Sequence, residues 1–410
     1  MQQDSEAGTW WRRRCFLRYQ ILFPSAFGHR GLVALAGRSA PVITLARIVA
    51  WLAVLVLLSR TTTGLGASNS PGKPGEPIQL VVGFNPYFAP AWTLAIVLHR
   101  ELWKPYLPPG SRVDLSVGLR GPVMADYLRT GALHFAYVGD AAVTLAASRS
   151  DIRLIAVTMM SQDLCVLVVR ADAPVFADPK AGARWLDGKR IATTAGTCQG
   201  RFTQLVVDRE GIRPARIFDL GRESLESAFR EGRIDAAGVP EPGASDLVVR
   251  GIARRLTSSL IYGEWDASFI ATSDGLLRAR PDVVNGWLAA ELAAQRFLSD
   301  SRNADEVVRI LAPRARLVSD RALRKALFEA YPEAQGGSPV RAVFPFAFTA
   351  EATDTVRKIH VYLRQRGLVT AGEPRKDVIV REWTERILAA QKLKSPVGVL
   401  RAVSATGAGS

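Results

Sequence analysis

Cysteine, histidine and methionine are scarce in this chain, at three, four and four residues of 410. With only Cys15, Cys165 and Cys198, a disulfide-stapled scaffold is excluded and the molecule must rely on its apolar core. His29, His99, His134 and His360 show no metal-ligand spacing, so neither a metal nor a cofactor is expected. No GxxxxGK[ST] loop occurs to cradle phosphates, which excludes an ATPase built on that loop. After residue 66 no basic run is interleaved with aromatics. The net charge of +15 therefore reads as solvated surface, and no nucleic-acid partner is expected. Part of that charge is local, because eight arginines against two acids fall in the first 66 residues.

What is present begins with an apolar run. Residues 48–58, IVAWLAVLVLL, follow Arg47 as eleven consecutive apolar residues. A spanning helix needs about 20, so the run reads as the h-region of a signal peptide, cleaved among the small residues near Gly66 or Ala67. No cysteine stands there to anchor a lipoprotein. The stretch Arg12–Arg18 resembles a twin-arginine export signal, but His29, Arg30 and Arg38 interrupt what should be its apolar run. The competing reading makes 1–40 an overlong start of the reading frame. Residues 1–66 are assigned as a leader, and 67–77, with its SNSPGKPGEP, as a flexible linker.

The body is 48% apolar over the whole chain, enough for two α/β units. Apolar runs at 78–83, 112–118, 134–139 and 152–160 read as strands, with helices at 91–103, 121–131 and 141–148 between them. The cycle restarts near Leu164, with strands at 164–170, 189–194, 215–220, 233–239 and 267–273. Helices at 200–211, 222–232 and 242–251 separate them. Alternation at this spacing predicts parallel sheets covered on both faces. After Asp274 the pattern is nearly all helix, at 281–299, 303–312, 319–330, 351–366 and 378–391. Residues 391–410, small and polar at their end, are expected to be a disordered tail.

Four stretches carry a family resemblance, in the family's order: GPVMADYLRTGALHFAYVGDAA, LDGKRIATTAGTCQGRFTQLVVDREGI, ESLESAFREGRIDAAGVPEPGAS and ATSDGLLRARPDVVNGWLAAELAAQRFL. Across 78–390 the chain resembles the periplasmic substrate-binding proteins of ABC importers in the nitrate, sulfonate and taurine group. The resemblance implies a two-lobed type II periplasmic binding protein fold with a C-terminal helical segment. Lobe one would be 78–164 plus 267–390, lobe two 165–266, and the strands around Cys165 and Phe269 the hinge. It also implies a periplasmic location, a small-molecule ligand, a permease partner in the inner membrane and a monomer.

In such sheets ligands bind beyond the carboxyl ends of the strands. The loops there are FNPYFAPAW, GLRGP, VGDAA, AGTCQGR and VPEPG, and four of the five run into a helix N-terminus, a place that favours anions. They supply the candidate ligand-binding residues Asn85, Tyr87, Trp92, Arg120, Gly121, Gly139, Asp140, Gly196, Thr197, Cys198 and Glu241. Each has a plainer reading. The aromatics can cap a core, Asp140 can N-cap a helix beginning at Ala141, and Glu241 before Pro242 can serve a turn. Arg201, one turn into its helix, reads as solvated. If both acids face the cleft, a zwitterion carrying an amine reconciles them with the helix termini. No base is identified beside Cys198, so catalysis is not expected. The related fold family does include a desulfinase with a cysteine nucleophile, which keeps a cysteine-dependent enzyme as the second class. A membrane-linked sensor is the third. Cys165 and Cys198 can form one disulfide, although nothing in their spacing forces it.

Overall fold

The computed structural model describes residues 71–85, 89–118, 121–313 and 318–402. The expected leader, 1–66, lies outside them. None of the described helices is long and apolar enough to cross a membrane.

Two sheets organise the described chain. The first is built on β1 (Gln79–Phe84), β2 (Arg112–Val117), β3 (Phe135–Gly139) and β4 (Ile152–Ser161). It is completed by β10 (Asp266–Ser273), β11 (Val340–Phe344) and β12 (Gly398–Arg401), in the order β12-β11-β4-β10-β3-β1-β2. β1 runs parallel to β2 and β3, whereas β10 is antiparallel to β3 and β4. The second sheet contains β5 (Cys165–Arg170), β6 (Arg190–Thr193), β7 (Arg216–Asp219), β8 (Ala236–Pro240) and β9 (Ala253–Ser258), ordered β7-β6-β8-β5-β9. The chain crosses between the sheets at 162–164 and returns at 259–265.

The period-two alternation of the strands sorts side chains between two cores. On β3, Phe135 and Tyr137 enter one cluster and Ala136 and Val138 the other. Because both faces are covered, FAYVG carries no charged side chain. One face takes α1 (Ala91–His99), α8 (Asp274–Ala279), α9 (Pro281–Ser299), α10 (Ala304–Leu311) and α11 (Asp320–Phe328); the other takes α2 (Gly121–Arg129), α3 (Asp140–Ala147) and α12 (Ala350–Gln365). Pro281 opens α9, a position that needs no amide donor, and buried Trp287 stacks on Phe135 at 5.5 Å between ring centroids. The second sheet is covered by α4 (Pro179–Arg184) and α5 (Cys198–Glu210) on one side. On the other lie α6 (Arg222–Arg230) and α7 (Gly243–Val249).

Several expectations are corrected. The segment 71–77 is held in place: buried Arg280 donates to the Pro71 and Glu76 carbonyls, and Gly75 N–H donates to Asp282 at 2.8 Å. Composition signals flexibility only while no neighbour supplies partners. The expected tail from 391 contains β12, an edge strand whose Gly398 pairs with Phe344. The expected helix 378–391 is α13 (Glu382–Ala390), preceded by a bridge between Leu154 and Ile379. The strands β9 and β11 went unread because ARRLTS sets two arginines among too few apolar residues, and VRAVF is a single five-residue run in a stretch that otherwise reads as helix.

Candidate functional site

The loop after β6 shows how local sequence shapes the site. Gly196 has φ +72, in the left-handed region, and a Cβ on Gly200 would lie 2.5 Å from the Thr194 carbonyl oxygen. Only glycines let α5 start this close to the strand end. Thr197 caps the helix, its Oγ1 accepting from Gly200 N–H at 3.3 Å. The Cys198 and Gln199 amides open the same turn.

Cys198 and Arg201 point into a buried cluster between the sheets. Arg201 is corrected from solvated to 7% exposed. Its Nη2 donates to Asp266 Oδ1 at 2.8 Å and to the Trp265 carbonyl at 3.2 Å, and stands 3.6 Å from Asp140 Oδ2. Arg201 belongs to the second sheet's helix and Asp140 to the first sheet's, so the guanidinium bridges the two units beside the return crossing. Burial opposes its charge, but Asp140 and Asp266 overcome that and raise its pKa. Asp140 is the first residue of α3, with Gly139 as N-cap, and so does not cap a helix starting at Ala141. Its Oδ1 accepts from Ala141 N–H at 2.5 Å and its Oδ2 from Ala267 N–H at 3.2 Å. Burial raises it to about 6; Arg201 pulls it down and Asp266 pushes it up. Asp266, raised likewise by burial, lies 2.6 Å from Ser259 Oγ.

The thiols of Cys165 and Cys198 lie near each other beside Asp266. These three donor atoms are within 4.8 Å of one another, and both cysteines are free. Burial pushes Cys165 well up. The neighbouring Cys165 thiol works the other way on Cys198, but burial and the two aspartates leave it raised. A thiol held protonated is a poor nucleophile.

Glu241 sits in a second cluster, against the outgoing crossing. Its backbone N–H donates to the Leu164 carbonyl. Its Oε2 accepts from Ser245 N–H at 2.9 Å, and its Oε1 accepts from Arg255 Nη1 at 3.3 Å. Burial raises Glu241 to about 7 against the Ser245 bonds and Lys325. Arg255, fully buried and lowered by burial to about 10, also pairs with Asp163 and donates to the Gln335 and Gly336 carbonyls. Arg341 pairs with the same aspartate. Tyr331 roofs the cluster, its ring 4.5 Å from the Arg255 guanidinium carbon and its hydroxyl 2.9 Å from Ser245 Oγ.

The acids Asp140 and Glu241, expected to face one cleft, are thus each taken up by a different buried arginine. Asn85 is buried at the end of β1, and Trp92 packs into the first sheet's core. Gly121 opens α2; Tyr87 and Arg120 lie outside the described residues. Sequence reasoning missed Asp163, Arg255, Asp266, Tyr331 and Arg341. For Arg255, Asp266 and Arg341 the hint was a charged residue among apolar neighbours in a strand; Asp163 and Tyr331, in connecting segments, gave none.

Two α/β sheet units joined by two crossings are the architecture of type II periplasmic binding proteins, and solved structures bear this out. The alkanesulfonate-binding protein SsuA of Xanthomonas axonopodis pv. citri, bound to MOPS, superposes with a TM-score of 0.60 at 17% identity, over 75% of this chain and 99% of that one. The periplasmic nitrate-binding protein NrtA of Synechocystis gives 0.61 at 13%, over 79% and 92%. The desulfurization enzyme DszB gives 0.55 at 15%, over 76% and 99%. The family model of the NMT1-like family matches residues 73–312, and the chain belongs to that family. Proteins of Brucella abortus and Brucella suis, whose names call them candidate binding proteins, are 24% identical over 220 residues. That match takes in 52% of this chain and 65% of theirs.

Proposed function

We propose that this chain is an exported, non-catalytic solute-binding protein. It captures a small organic anion or zwitterion between two lobes, 78–164 plus 267–390 and 165–266, for delivery to an ABC permease. The observation that carries the reading is the Arg201 bridge, a single buried cation joining Asp140 of one unit to Asp266 at the return crossing. The guanidinium's charge is met by the two aspartates, and the N-terminus of α5 beside it supplies the positive potential where the two units meet. In this reading Gly196, Thr197 and Cys198 form one wall of the cleft, with Asn85, Gly121 and Gly139 opposite; Tyr87 and Arg120 stay candidate ligand residues on sequence grounds. Asp140 and Glu241 hold arginines in place and leave the ligand to other groups. The sulfonate and nitrate ligands named for the two binding proteins above set the classes to try first.

The test is a thermal-shift panel on the purified full chain with alkanesulfonates, taurine, amino acids, nitrate and thiamine precursors. A concentration-dependent rise with one class is expected, about 4 kcal/mol at 1,000 times Kd. Turnover of a sulfinate that Cys198→Ser abolishes would sink the reading in favour of the desulfinase-like enzyme. Mass spectrometry of the chain recovered from cells decides between a leader cleaved near Gly66 and one retained as an anchor.

A further inference from the structure

The geometry points to a reversible disulfide between Cys165 and Cys198 that ties the first turn of α5 to the first strand after the outgoing crossing. Three observations lead there. The two sulfurs lie within 4.8 Å of each other on the opening residues of β5 and α5, elements joined by no shorter covalent path than the 32 residues between them. Closing to the S–S length of about 2 Å asks for side-chain rotation and a small shift of one helix turn. The second observation is asymmetry of access. Cys165 is fully buried and Cys198 half-buried, so one thiol is placed to meet an oxidant and the other to resolve the product. The third is that neither thiol has a task in the ligand cleft that requires a free S–H: Cys198 Sγ donates only to the neighbouring Gln199 Oε1, at 3.4 Å.

The oxidant is a disulfide-bearing thiol compound or exchange protein. The small fraction of Cys198 present as thiolate, larger at alkaline pH, attacks one sulfur of that disulfide, whose S–S bond breaks and releases the first thiol. Cys165 then attacks the Cys198 sulfur and releases the second. The two cysteine protons leave with the two released thiols, so two cysteines are oxidised and one external disulfide is reduced. Reduction reverses each step. The bond would brace the cleft wall that carries Gly196, Thr197 and Arg201, and free thiols would leave it slack.

The bond itself stands on the geometry; its formation in the cell rests on the export proposed above. The test uses the full chain carrying Cys15→Ser, equilibrated with glutathione redox buffers, quenched and mapped by mass spectrometry. A linked 165–198 peptide is expected in oxidising buffer, with a melting temperature about 5 °C above the reduced form. That difference should vanish in Cys198→Ser and in Cys165→Ser. Persistent glutathione on Cys198 with Cys165 free overturns the inference. So do thiols that react only after a chelator is added, a result that would instead assign Cys165, Cys198 and Asp266 to a metal. The ligand panel is read separately, so a chain that binds but stays reduced fails this inference alone.

Discussion

The two buried ion clusters flank the two crossings, yet they are built on opposite plans. Around Arg255 and Arg341, two guanidiniums share Asp163, three backbone carbonyls accept from them, and Tyr331 closes the top. Around Arg201 one cation serves two buried aspartates, with Glu264 at 4.0 Å, and its Nε has no hydrogen-bond partner. The first arrangement is over-determined: α11 and the 331–341 segment of the first unit are bound to α7 and β9 of the second. The second spans the units through one side chain. If the two units close on a ligand as proposed, the hinge needs a fixed point and a point that can let go, and the contrast would give those parts to Arg255 and Arg201 respectively.

Arg255→Ala is the strongest way to break the contrast. It leaves Asp163 and Glu241 buried with their shared cation gone, and a loss of about 4 kcal/mol is expected by denaturant unfolding. A loss under about 1 kcal/mol would show that the cluster is not the fixed point. Glu241→Gln tests the same cluster through pH. A carboxyl whose folded pKa is raised, here from 4.5 to about 7, binds its proton more tightly when folded. Its contribution is complete below about 4.5 and disappears as pH rises to about 7, a swing on the order of 3 kcal/mol. The wild type should therefore lose stability relative to Glu241→Gln across that window, and parallel pH curves would refute the assignment.

Arg201→Met should cost less, about 2 kcal/mol, because Asp140 already titrates near 6 and can take up a proton in place of the lost cation. Its larger effect should be on binding: a tenfold or greater weakening of whichever panel member binds, read by calorimetry. Unchanged affinity would detach the bridge from the cleft. Thr197→Ala removes only the α5 cap and should cost about 1 kcal/mol in unfolding experiments.

Much of the fold was legible in sequence because its signals are local. FAYVG reads as a covered strand from five adjacent residues, and the glycines of AGTCQGR announce a tight strand-to-helix turn. β9 and β12 were not legible. Their apolar content is too low to show a period, and they are strands because β5 and β11 offer them open edges. The same limit applied to the site. Thr197 and Cys198 stand out in sequence from their place at a helix start, and the structure puts Thr197 at the cap and Cys198 in the first turn. Arg201 was misread because a lone arginine on a helix is usually solvated, and nothing nearby in sequence announces two aspartates 61 and 65 positions away.

By itself, then, the sequence determined the alternation of strands and helices, the family and the loops that approach the cleft. Those properties follow from hydrophobic period, turn residues and spacing, all readable within a few residues. Only the tertiary structure decided which acid meets which arginine, that two distant thiols come within 4.8 Å, and that a proline- and glycine-rich segment is pinned by Arg280. Pairing of charges depends on burial as much as on identity. Burial is a property of the packed chain, in which residues far apart in sequence exclude water from one another.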